Sequence, residues 1–318
     1  YCGINQLRLH IAETMDFSPL VMQRMEEKFE LSTGSIAQEK LGEKLAEVDI
    51  FWFRLGYRID ATVLNENSRC RYLVTPVTGI DHIDEVLCEQ LGVSIICLRG
   101  ETEFLKEVRA TAEHTILLAM MVMRRAVPAV NDATAGNWRR DNFRGLELYH
   151  KSVGIIGYGR LGRIVADYFH ALGCKVGFYD TAQREHPPHI RQFASMEACI
   201  IASDLVSLHV PYRENTHHLV DEEVLSWFTP AKWLINTSRG GVVDENALLK
   251  VLEEKQIAGV ATDVLYGEPE VMNHPLVQFA QQNERLVISP HIGGCTYESF
   301  EKTELFVAEK LLDQLNQT

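Results

Sequence analysis

The stretch that decides the fold is Ser152–Asp180, SVGIIGYGRLGRIVADYFHALGCKVGFYD. It predicts a strand, Val153–Ile156, a glycine-rich turn, Gly157–Gly162, and a helix whose apolar residues recur with the 3.6-residue period of a buried face. A second strand, Lys175–Tyr179, ends in an acidic residue. This succession of strand, turn, helix, strand and acid is typical of a βαβ unit that binds a dinucleotide.

Each glycine of the turn has a separate physical reason. Gly157 permits the tight turn, Gly159 lets a pyrophosphate approach the backbone, and Gly162 lets the helix pack closely on the strand. The amides of Arg160 and Leu161 would lie at the helix N-terminus, where free N–H groups and the helix dipole favour an anion. The competing interpretation is a glycine-rich turn in an ordinary α/β unit, and the complete set of elements disfavours it.

The acid that ends the second strand bears on which dinucleotide is bound. Asp180 lies about 20 residues beyond the glycines, where a carboxylate accepts hydrogen bonds from a ribose diol and repels a 2′-phosphate. We therefore expect NAD as the cofactor rather than NADP. Arg184 is the one nearby residue that favours the opposite choice.

Composition limits the class of protein. The 318 residues have room for two domains, and 46% hydrophobic with 24% charged residues is typical of a soluble globular protein. A net charge of −13 argues against nucleic acid or an anionic membrane as a partner. The longest apolar run, Ile116–Met123, falls short of the roughly 20 residues that span a bilayer, and the first residues show no signal-peptide pattern. We expect a cytoplasmic protein.

The cysteines also indicate a cytosol-like, reducing compartment. Seven cysteines are scattered along the chain without a CxxC pair. An odd, dispersed set predicts reduced thiols rather than a disulfide framework. No metal site is predicted.

Two series of alternating strands and helices predict parallel α/β sheets. The first series occupies about the first 100 residues and includes a helix predicted at Ile59–Asn65. A long helix is predicted at Phe104–Arg125, and another, Thr296–Asn316, ends the chain. The second series begins at the glycine-rich unit, and its six strands are predicted near 153–156, 175–179, 205–208, 233–236, 258–262 and 286–288.

Reactive side chains follow the later strands. Arg239 lies in NTSRGG, Asp263 and Glu268 lie in TDVLYGEP, and His291 lies in SPHIGG. Open α/β sheets bind ligands at the carboxyl ends of their strands, where an arginine fork can hold a carboxylate. A histidine beside a glutamate forms an acid–base pair, because the negative neighbour favours the imidazolium. Each motif alone is equally compatible with a structural role, but their order and spacing make coincidence improbable.

Taken together, GYGRLG with Asp180, LHVP at 208–211, NTSRGGVVDENAL at 236–248, TDVLYGEP at 262–269 and SPHIGG at 289–294 resemble the D-isomer-specific 2-hydroxyacid dehydrogenases. The resemblance implies an α/β protein with a Rossmann dinucleotide-binding domain and a smaller, flavodoxin-like parallel α/β substrate domain, with a cleft between them. The substrate domain would comprise residues 1–101, completed by the C-terminal helix 295–318, and the NAD-binding domain residues 102–294.

The resemblance also assigns roles to residues. Arg239 would hold the carboxylate and carbonyl of the substrate, His291 would donate or accept the proton, and Glu268 would pair with His291. The implied cofactor-binding residues are Gly157, Tyr158, Gly159, Arg160, Leu161, Gly162, Asp180, His209, Val210, Pro211, Thr216, Thr237, Ser238, Asp263, Gly293 and Gly294. Asp263 would bond the nicotinamide carboxamide.

Substrate contacts are expected from the first series of elements. Arg54 follows a predicted strand there, and it is almost as compatible with an exposed salt bridge as with a contact to an acidic substrate. The segment Val77-Thr78-Gly79 stands where the family commonly has a glycine-valine-glycine turn, whose amides meet the substrate carboxylate. One glycine of that turn is absent here, so the substrate pocket must differ in shape.

Three functions fit these motifs. The first is an NAD-dependent oxidoreductase that transfers a hydride between nicotinamide and a D-2-hydroxy acid or its 2-keto acid. The second is a non-catalytic, NAD(H)-sensing binding protein on the same fold, and the third is a formate- or phosphite-type dehydrogenase. The resemblance implies a homodimer, with the apolar Phe104–Arg125 helix at the interface or, equally well, buried within one subunit.

Overall fold

The computed structural model describes residues 7–317, which form two compact units. The first unit contains the described residues up to Val108 and the segment that begins at Cys295. The second unit is Arg109–Gly294. Each unit has its own parallel sheet, and no helix within the described range is long and apolar enough to cross a membrane.

The described part of the first unit contains a five-stranded sheet. Its strands are β1 (Arg8–Ile11), β2 (Glu30–Thr33), β3 (Ile50–Trp52), β4 (Tyr72–Val74) and β5 (Ser94–Ile96). They lie in the order β2-β1-β3-β4-β5, and every neighbouring pair is parallel. This is the strand order of flavodoxin-like folds, so the predicted flavodoxin-like α/β architecture is confirmed.

Short helices connect these strands. They are α1 (Pro19–Glu26), α2 (Leu41–Glu47), α3 (Glu85–Gln90) and α4 (Thr102–Leu105). Side chains fix where two of them begin: the hydroxyl of Ser18 accepts a hydrogen bond from the amide of Val21, and the carboxylate of Asp84 accepts one from the amide of Leu87. Both are N-cap contacts that satisfy amides with no partner inside the helix.

The last helix of the chain, which we call α12 (Tyr297–Gln317), completes the core of the first unit. Its Val307, Ala308 and Leu311 are fully buried in a cluster that also contains Leu9 and Ile11 of β1. A segment about 300 residues away in sequence therefore supplies one face of this core, and removing it would expose apolar surface on β1.

The second unit contains, within the described residues, a seven-stranded parallel sheet. Its strands are β6 (Ser152–Ile156), β7 (Lys175–Tyr179), β8 (Arg191–Gln192), β9 (Leu205–Leu208), β10 (Trp233–Asn236), β11 (Gly259–Thr262) and β12 (Leu286–Ile288). Their order is β12-β11-β10-β9-β6-β7-β8. The strand order reverses between β6 and β9, which is the position where doubly wound sheets bind ligands. The six predicted strands are confirmed, and the two-residue β8 is added at the edge.

Helices cover both faces of this sheet. They are α5 (Ala110–Met123), α6 (Ala126–Thr134), α7 (Arg160–Ala171), α8 (Met196–Ile201), α9 (Glu222–Leu225), α10 (Glu245–Glu253) and α11 (Pro275–Ala280). One buried cluster lies under α5 and α7, and the other lies under α8 to α11. Neighbouring strand residues alternate between them: Leu234 of β10 belongs to the second cluster and Ile235 to the first.

The prediction of a helix at Ile59–Asn65 is wrong, because this segment forms turns. The carboxylate of Asp60 accepts hydrogen bonds from the amide and the hydroxyl of Thr62, at 2.9 and 2.5 Å. Such side-chain contacts to the nearby backbone compete with helix formation. The periodic apolar pattern there arises from a turn that packs Val63 and Leu64 into the core.

The prediction of a single helix at Phe104–Arg125 is wrong as well, since α4 ends at Leu105 and α5 begins at Ala110. Phe104 stacks on Phe306 of α12 with ring centroids 4.1 Å apart, and Leu105 is buried in the same core. Contacts within the first unit therefore extend beyond α4, and the first compact unit includes Val108. The domain bounds drawn from sequence stay a prediction.

Candidate active site

The predicted functional residues of the second unit follow the carboxyl ends of six neighbouring strands. The glycine-rich turn follows β6, Asp180 follows β7, and His209 follows β9. The three motifs with reactive side chains follow β10, β11 and β12, which lie with β9 on one side of the reversal point. Parallel strands bring all of these turns to one edge of the sheet.

The backbones of three elements meet at the glycine-rich turn. Gly157 has a φ of +92°, and a Cβ on it would lie 2.5 Å from the carbonyl oxygen of His209. A Cβ on Gly162 would lie 2.1 Å from the carbonyl oxygen of Gly157. The first glycine is therefore required by the turn and by the approach of β9, and the second by the packing of α7 on β6.

Gly159 differs from its two neighbours, because a Cβ on it would have no atom within 4 Å. It is the N-cap residue of α7, and no side chain caps the helix there. The first amides of α7, which include those of Arg160 and Leu161, therefore lie beside open space. Amides at a helix N-terminus favour an anion, so this cradle fits a pyrophosphate.

Tyr158 contributes to the turn through its backbone. Its side chain is buried and stacks on Phe178, with ring centroids 3.7 Å apart. Its amide donates to the carboxylate of Asp180 at 2.9 Å. Asp180 thus connects the glycine-rich turn to the end of β7, and it also borders a cavity of about 700 Å³ lined by residues of the segment 179–194.

Asp180 carries a negative charge held by several donors. Burial alone would raise the pKa of this carboxyl, but the amide of Ala182, the guanidinium of Arg184 and the amide of Tyr158 together lower it. Arg184 lies 3.1 Å from the carboxylate and is 40% exposed. The carboxylate and the guanidinium therefore stand side by side where the sequence predicts the ribose of the cofactor.

His209 has an unsatisfied ring nitrogen. Its Nε2 lies 2.8 Å from the hydroxyl of Ser207, and its Nδ1 is buried and has no hydrogen-bond partner among the described residues. Burial lowers the pKa of His209 to about 3, so the ring is neutral near pH 7. A buried polar atom without a partner beside the glycine-rich turn is compatible with a ligand that the turn holds.

The loop after His209 is closed by a hydroxyl. Thr216 donates to the carbonyl oxygen of Pro211 at 2.7 Å and accepts from the amide of Arg213 at 2.8 Å. Val210 is partly buried against the second-unit core. Thr216 therefore fixes the conformation of the loop that carries Val210 and Pro211.

A buried asparagine builds the turn that carries Arg239. The Asn236 side chain accepts from the amide and the hydroxyl of Ser238, at 3.0 and 2.7 Å, and donates to the carbonyl oxygen of Arg239 at 3.0 Å. The hydroxyl of Thr237 lies 2.8 Å from that of Thr115 in α5. Arg239 itself is half-buried, with Nη1 donating to the carbonyl oxygen of Ser238.

His291 and Glu268 form the pair that the sequence predicts. Nδ1 of His291 lies 2.5 Å from Oε1 of Glu268. His291 has a left-handed φ of +54°, and its amide donates to the carbonyl oxygen of Asp263 at 2.8 Å. Because Glu268 occupies Nδ1, the nitrogen that remains for a reactant is Nε2. About a quarter of each side chain is exposed to solvent.

Asp263 lies at the centre of a buried network. Its oxygens accept from the amides of Ile292 and Gly293, at 2.9 and 2.7 Å, and from the hydroxyl of Ser289. Nε2 of His114 lies 3.1 Å from the same carboxylate. Burial alone would raise the pKa of Asp263, and the hydrogen bonds outweigh this effect and lower the pKa. The network holds the turn after β12, and therefore the backbone beside His291.

Sequence reasoning missed two members of this network. His114 lies in α5, 149 positions before Asp263, and no local pattern joins the two. Ser289 lies inside a recognised motif, but its link to Asp263 depends on the pairing of β11 with β12. Gly294, by contrast, lies in open space, with no atom within 4 Å of a Cβ on it. Among residues 7–317, no group of three His, Cys, Asp or Glu side chains is arranged to hold a metal ion.

The predicted substrate residues lie in the first unit. Arg54 follows β3, and its guanidinium donates to Glu304 at 2.6 Å and to the carbonyl oxygen of Met15 at 2.8 Å. It also lies 3.9 Å above the ring of Phe300. Arg54 therefore forms a largely buried ion pair with α12, whereas the salt bridge considered from sequence is an exposed one. Its contact with a substrate stays a prediction.

The loop Val77–Gly79 follows β4, the strand next to β3. The carbonyl oxygen of Val77 accepts from the amide of Leu98 at 3.0 Å. Thr78 is exposed, and Val77 packs against the first-unit core. Contact of this loop with a substrate stays a prediction.

Comparisons with known proteins identify the family. The family model described as "D-isomer specific 2-hydroxyacid dehydrogenase, NAD binding domain" matches residues 116–293. A glyoxylate reductase from Thermofilum pendens is 32% identical over 283 residues, which cover 87% of this chain and 81% of that protein. A hydroxypyruvate reductase from Thermotoga maritima is 25% identical over 310 residues, which cover 97% and 98% of the two chains.

Solved structures have the same fold. An acyclic imino acid reductase in complex with NADPH and D-Arg matches with a TM-score of 0.82 at 26% identity, covering 98% of both chains. A D-lactate dehydrogenase from Aquifex aeolicus, complexed with NAD and lactic acid, matches with a TM-score of 0.84 at 24% identity, covering 98% of this chain and 96% of that one.

The family model covers more than half of the chain, and the relatives match it over most of their own length. The second unit has the features from which a dinucleotide site is predicted, namely open space at Gly159 before α7 and an acid after β7. The chain belongs to the D-isomer-specific 2-hydroxyacid dehydrogenase family, and it is an oxidoreductase that interconverts hydroxy and keto acids with a nicotinamide dinucleotide.

Proposed function

We propose that this enzyme reduces small 2-keto acids, with glyoxylate and hydroxypyruvate as the first candidates, and that Arg239, Glu268 and His291 carry the reaction. The observation that supports this most is the His291–Glu268 pair, in which one ring nitrogen is held and the other remains available. The names of the relatives from Thermofilum pendens and Thermotoga maritima favour those two keto acids.

Arg239 is the proposed anchor for the substrate. Its guanidinium is a planar fork that can bind a carboxylate through two parallel hydrogen bonds, and a fixed positive charge also stabilises an oxygen that gains negative charge. The hydrogen bonds of Asn236 hold the backbone from which this side chain extends. Arg239 therefore starts from a fixed position, which reduces the entropy lost on binding.

His291 is the proposed proton donor in the reducing direction. Glu268 accepts from Nδ1, and this contact fixes the ring orientation and leaves Nε2 to protonate the substrate oxygen. The carboxylate also stabilises the positive charge on the ring before the proton is transferred. In the oxidising direction, the same nitrogen accepts the proton of the hydroxyl group.

The residues of the second unit fit a nicotinamide dinucleotide. The open space at Gly159 and the first amides of α7 would hold its pyrophosphate, Asp180 would bind a ribose, and Asp263 would face the nicotinamide carboxamide. When bound, this cofactor supplies the hydride. The chain itself binds and orients the reactants and moves the proton.

We infer that NAD is preferred over NADP. The buried negative charge of Asp180 repels a 2′-phosphate, and its partner Arg184 is already engaged by that carboxylate. Similar proteins use both dinucleotides, since the two solved structures above contain NADPH and NAD.

We also infer a homodimer. Large apolar side chains are exposed on and beside α5 and α6, namely Leu117, Met120, Val130 and Trp138. An exposed apolar group of this kind typically marks an interface. Leu117 and Met120 belong to the segment Phe104–Arg125, which the sequence places at a dimer interface or, equally well, within one subunit.

The proposed chemistry predicts that His291→Ala lowers kcat for glyoxylate or hydroxypyruvate by about 100-fold, because the proton donor is lost, while NADH binding is nearly unchanged. Steady-state NADH oxidation and fluorescence titration measure the two quantities. His170→Ala, an exposed histidine at the end of α7, serves as the control. Wild-type turnover in His291→Ala would remove His291 from the mechanism. Reduction of NAD by formate or phosphite, with no oxidation of NADH by either keto acid, would overturn the keto-acid assignment.

Two similar substitutions in the glycine-rich turn should change different properties of the enzyme, cofactor binding in one case and stability in the other. Gly159→Ala should fold normally and raise the NADH dissociation constant at least about tenfold, because the new methyl group occupies the open cradle. Gly162→Ala should lower the melting temperature, because its Cβ overlaps the carbonyl oxygen of Gly157. Melting curves and NADH titrations test both, and equal behaviour of the two variants would contradict the account.

Cofactor choice is tested by Asp180→Asn, which keeps one acceptor oxygen and removes the charge. We expect kcat/KM with NADH to fall about tenfold and the ratio of NADPH to NADH activity to rise, since the repulsion is gone and Arg184 is released. Adding Arg184→Ala to this variant should lower NADPH activity again. An unchanged cofactor ratio in Asp180→Asn would refute the assigned role.

The dimer is tested by sedimentation velocity. The wild-type chain should sediment as a dimer, and Leu117→Glu should shift it toward the monomer by placing a charge in an apolar interface. Leu20→Glu, at an equally exposed leucine of α1, is the control. A monomeric wild-type protein at micromolar concentration would overturn the inference.

A further inference from the structure

A further carboxylate–histidine pair, Glu245 and His274, has contacts on both sides of the loop that carries Glu268. Glu245 is the first residue of α10, and its Oε2 accepts from Nε2 of His274 at 2.8 Å. Its Oε1 accepts from the amide of Tyr266 at 3.0 Å. Both side chains of the pair are largely buried, with 14% and 13% of their surface exposed. Neither residue is assigned a role by the motifs discussed above.

The two oxygens of Glu245 hold the two sides of one loop. Tyr266 lies two residues before Glu268 in the chain, and His274 lies six residues after it, as the N-cap residue of α11. Nδ1 of His274 accepts from the amide of Leu276, so its proton resides on Nε2 and points to Glu245. The segment 266–274 is therefore closed by a single carboxylate that belongs to another helix.

Within the loop, Glu268 itself is held less closely than the residues after it. Its own contacts with the loop are long, at 3.4 Å from its amide to the carbonyl oxygen of Leu265 and 3.4 Å from its Oε2 to the Leu265 amide. The loop residues Tyr266 and Met272 are exposed. The residues after Glu268 have ordinary hydrogen bonds, since the amide of Val271 donates to the carbonyl oxygen of Pro269 at 2.9 Å and the amide of His274 to that of Val271 at 3.0 Å. Because the long contacts are those of Glu268, its position depends more on contacts from outside the loop.

The other side of the loop packs on the turn that carries Arg239. A Cβ on Gly240 would lie 2.1 Å from the carbonyl carbon of Leu265 and from the amide nitrogen of Tyr266. Glu245 thus holds the Tyr266 amide at the place where the backbone is pressed against Gly240. A displacement of this amide would move the residues on both sides of the contact.

We propose that Glu245, together with His274, is a positioning residue of the reaction: its carboxylate closes the loop 266–274 and so holds Glu268 in hydrogen-bond contact with His291. This rests on the proposed role of the His291–Glu268 pair. Burial raises the pKa of Glu245, and hydrogen bonds from Tyr266 and His274 oppose this shift, so the buried carboxylate depends on the same two donors that it holds together.

The test compares four variants by kcat, by KM for glyoxylate, by NADH dissociation constant and by melting temperature. Glu245→Ala should lower kcat about tenfold and leave the two binding constants within about twofold, because a misplaced acid–base pair slows the chemical step. His274→Asn keeps an N-cap for α11 but loses the bond to Glu245, and it should lower kcat in the same way. Glu245→Gln, which retains an acceptor for the Tyr266 amide, should lie between Glu245→Ala and wild type. The control is Glu222→Ala in α9, which breaks an exposed ion pair with Lys250 of α10, the helix that carries Glu245. This variant should match wild type.

A double-mutant cycle separates positioning from a general structural role. In a Glu268→Ala background, adding Glu245→Ala should cause no further loss of kcat, since Glu245 acts through Glu268. Additive losses, a fall in kcat that follows the melting temperature, or wild-type kcat in Glu245→Ala would each overturn the proposal. His291→Ala is measured in parallel. If it loses turnover while Glu245→Ala does not, only the positioning role fails; if His291→Ala retains turnover, the proposed function of the pair fails as well.

Discussion

The close approach of three backbones at the end of β6 is the constraint on which the second unit depends. Gly157 turns the chain with a positive φ against the carbonyl of His209, and Gly162 brings the start of α7 against Gly157. Because neither position has room for a side chain, the N-terminus of α7 lies directly beside the reversal point of the sheet. The remaining glycine, Gly159, then leaves the helix amides open to an anion.

The reactive half of the site uses a different construction. The turns after β10, β11 and β12 are irregular, and buried side chains hold them by hydrogen bonds to the backbone. Asn236 organises the turn of Arg239, Asp263 holds the turn of His291, and Glu245 holds the loop of Glu268. Each satisfies amides that an irregular turn would otherwise leave without a partner. A rigid sheet with individually fixed turns is a suitable support for groups that must meet one substrate.

Much of the second unit is predictable from sequence because its signals are local. The six predicted strands are short apolar runs bounded by turn residues. The glycine spacing reflects contacts within a single βαβ unit. The pairing of Glu268 with His291 follows from the neighbouring positions of β11 and β12, which the motif order implies. The helix predicted at Ile59–Asn65 failed because the side chain of Asp60 forms a turn that periodicity does not report.

The parts that sequence missed depend on distant contacts. Beside the break between α4 and α5, Phe104 packs on Phe306, a residue far from it in sequence. His114 reaches Asp263 from another helix, and Arg54 finds its buried partner in Glu304. None of these pairs has a spacing that could be recognised before the fold is known. Glu245 lies within a recognised motif, yet only the structure shows that its carboxylate joins Tyr266 to His274.

The central claim is that Arg239 and the Nε2 atom of His291 meet the same substrate while the first amides of α7 hold the pyrophosphate of the cofactor. A crystal structure with NAD and oxamate, a non-reactive analogue of a 2-keto acid, tests it most directly. The account predicts the analogue carboxylate on the Arg239 guanidinium and its carbonyl oxygen about 3 Å from Nε2 of His291. An analogue bound away from Arg239, or a His291 ring that turns from it while Glu268 binds elsewhere, would contradict the account.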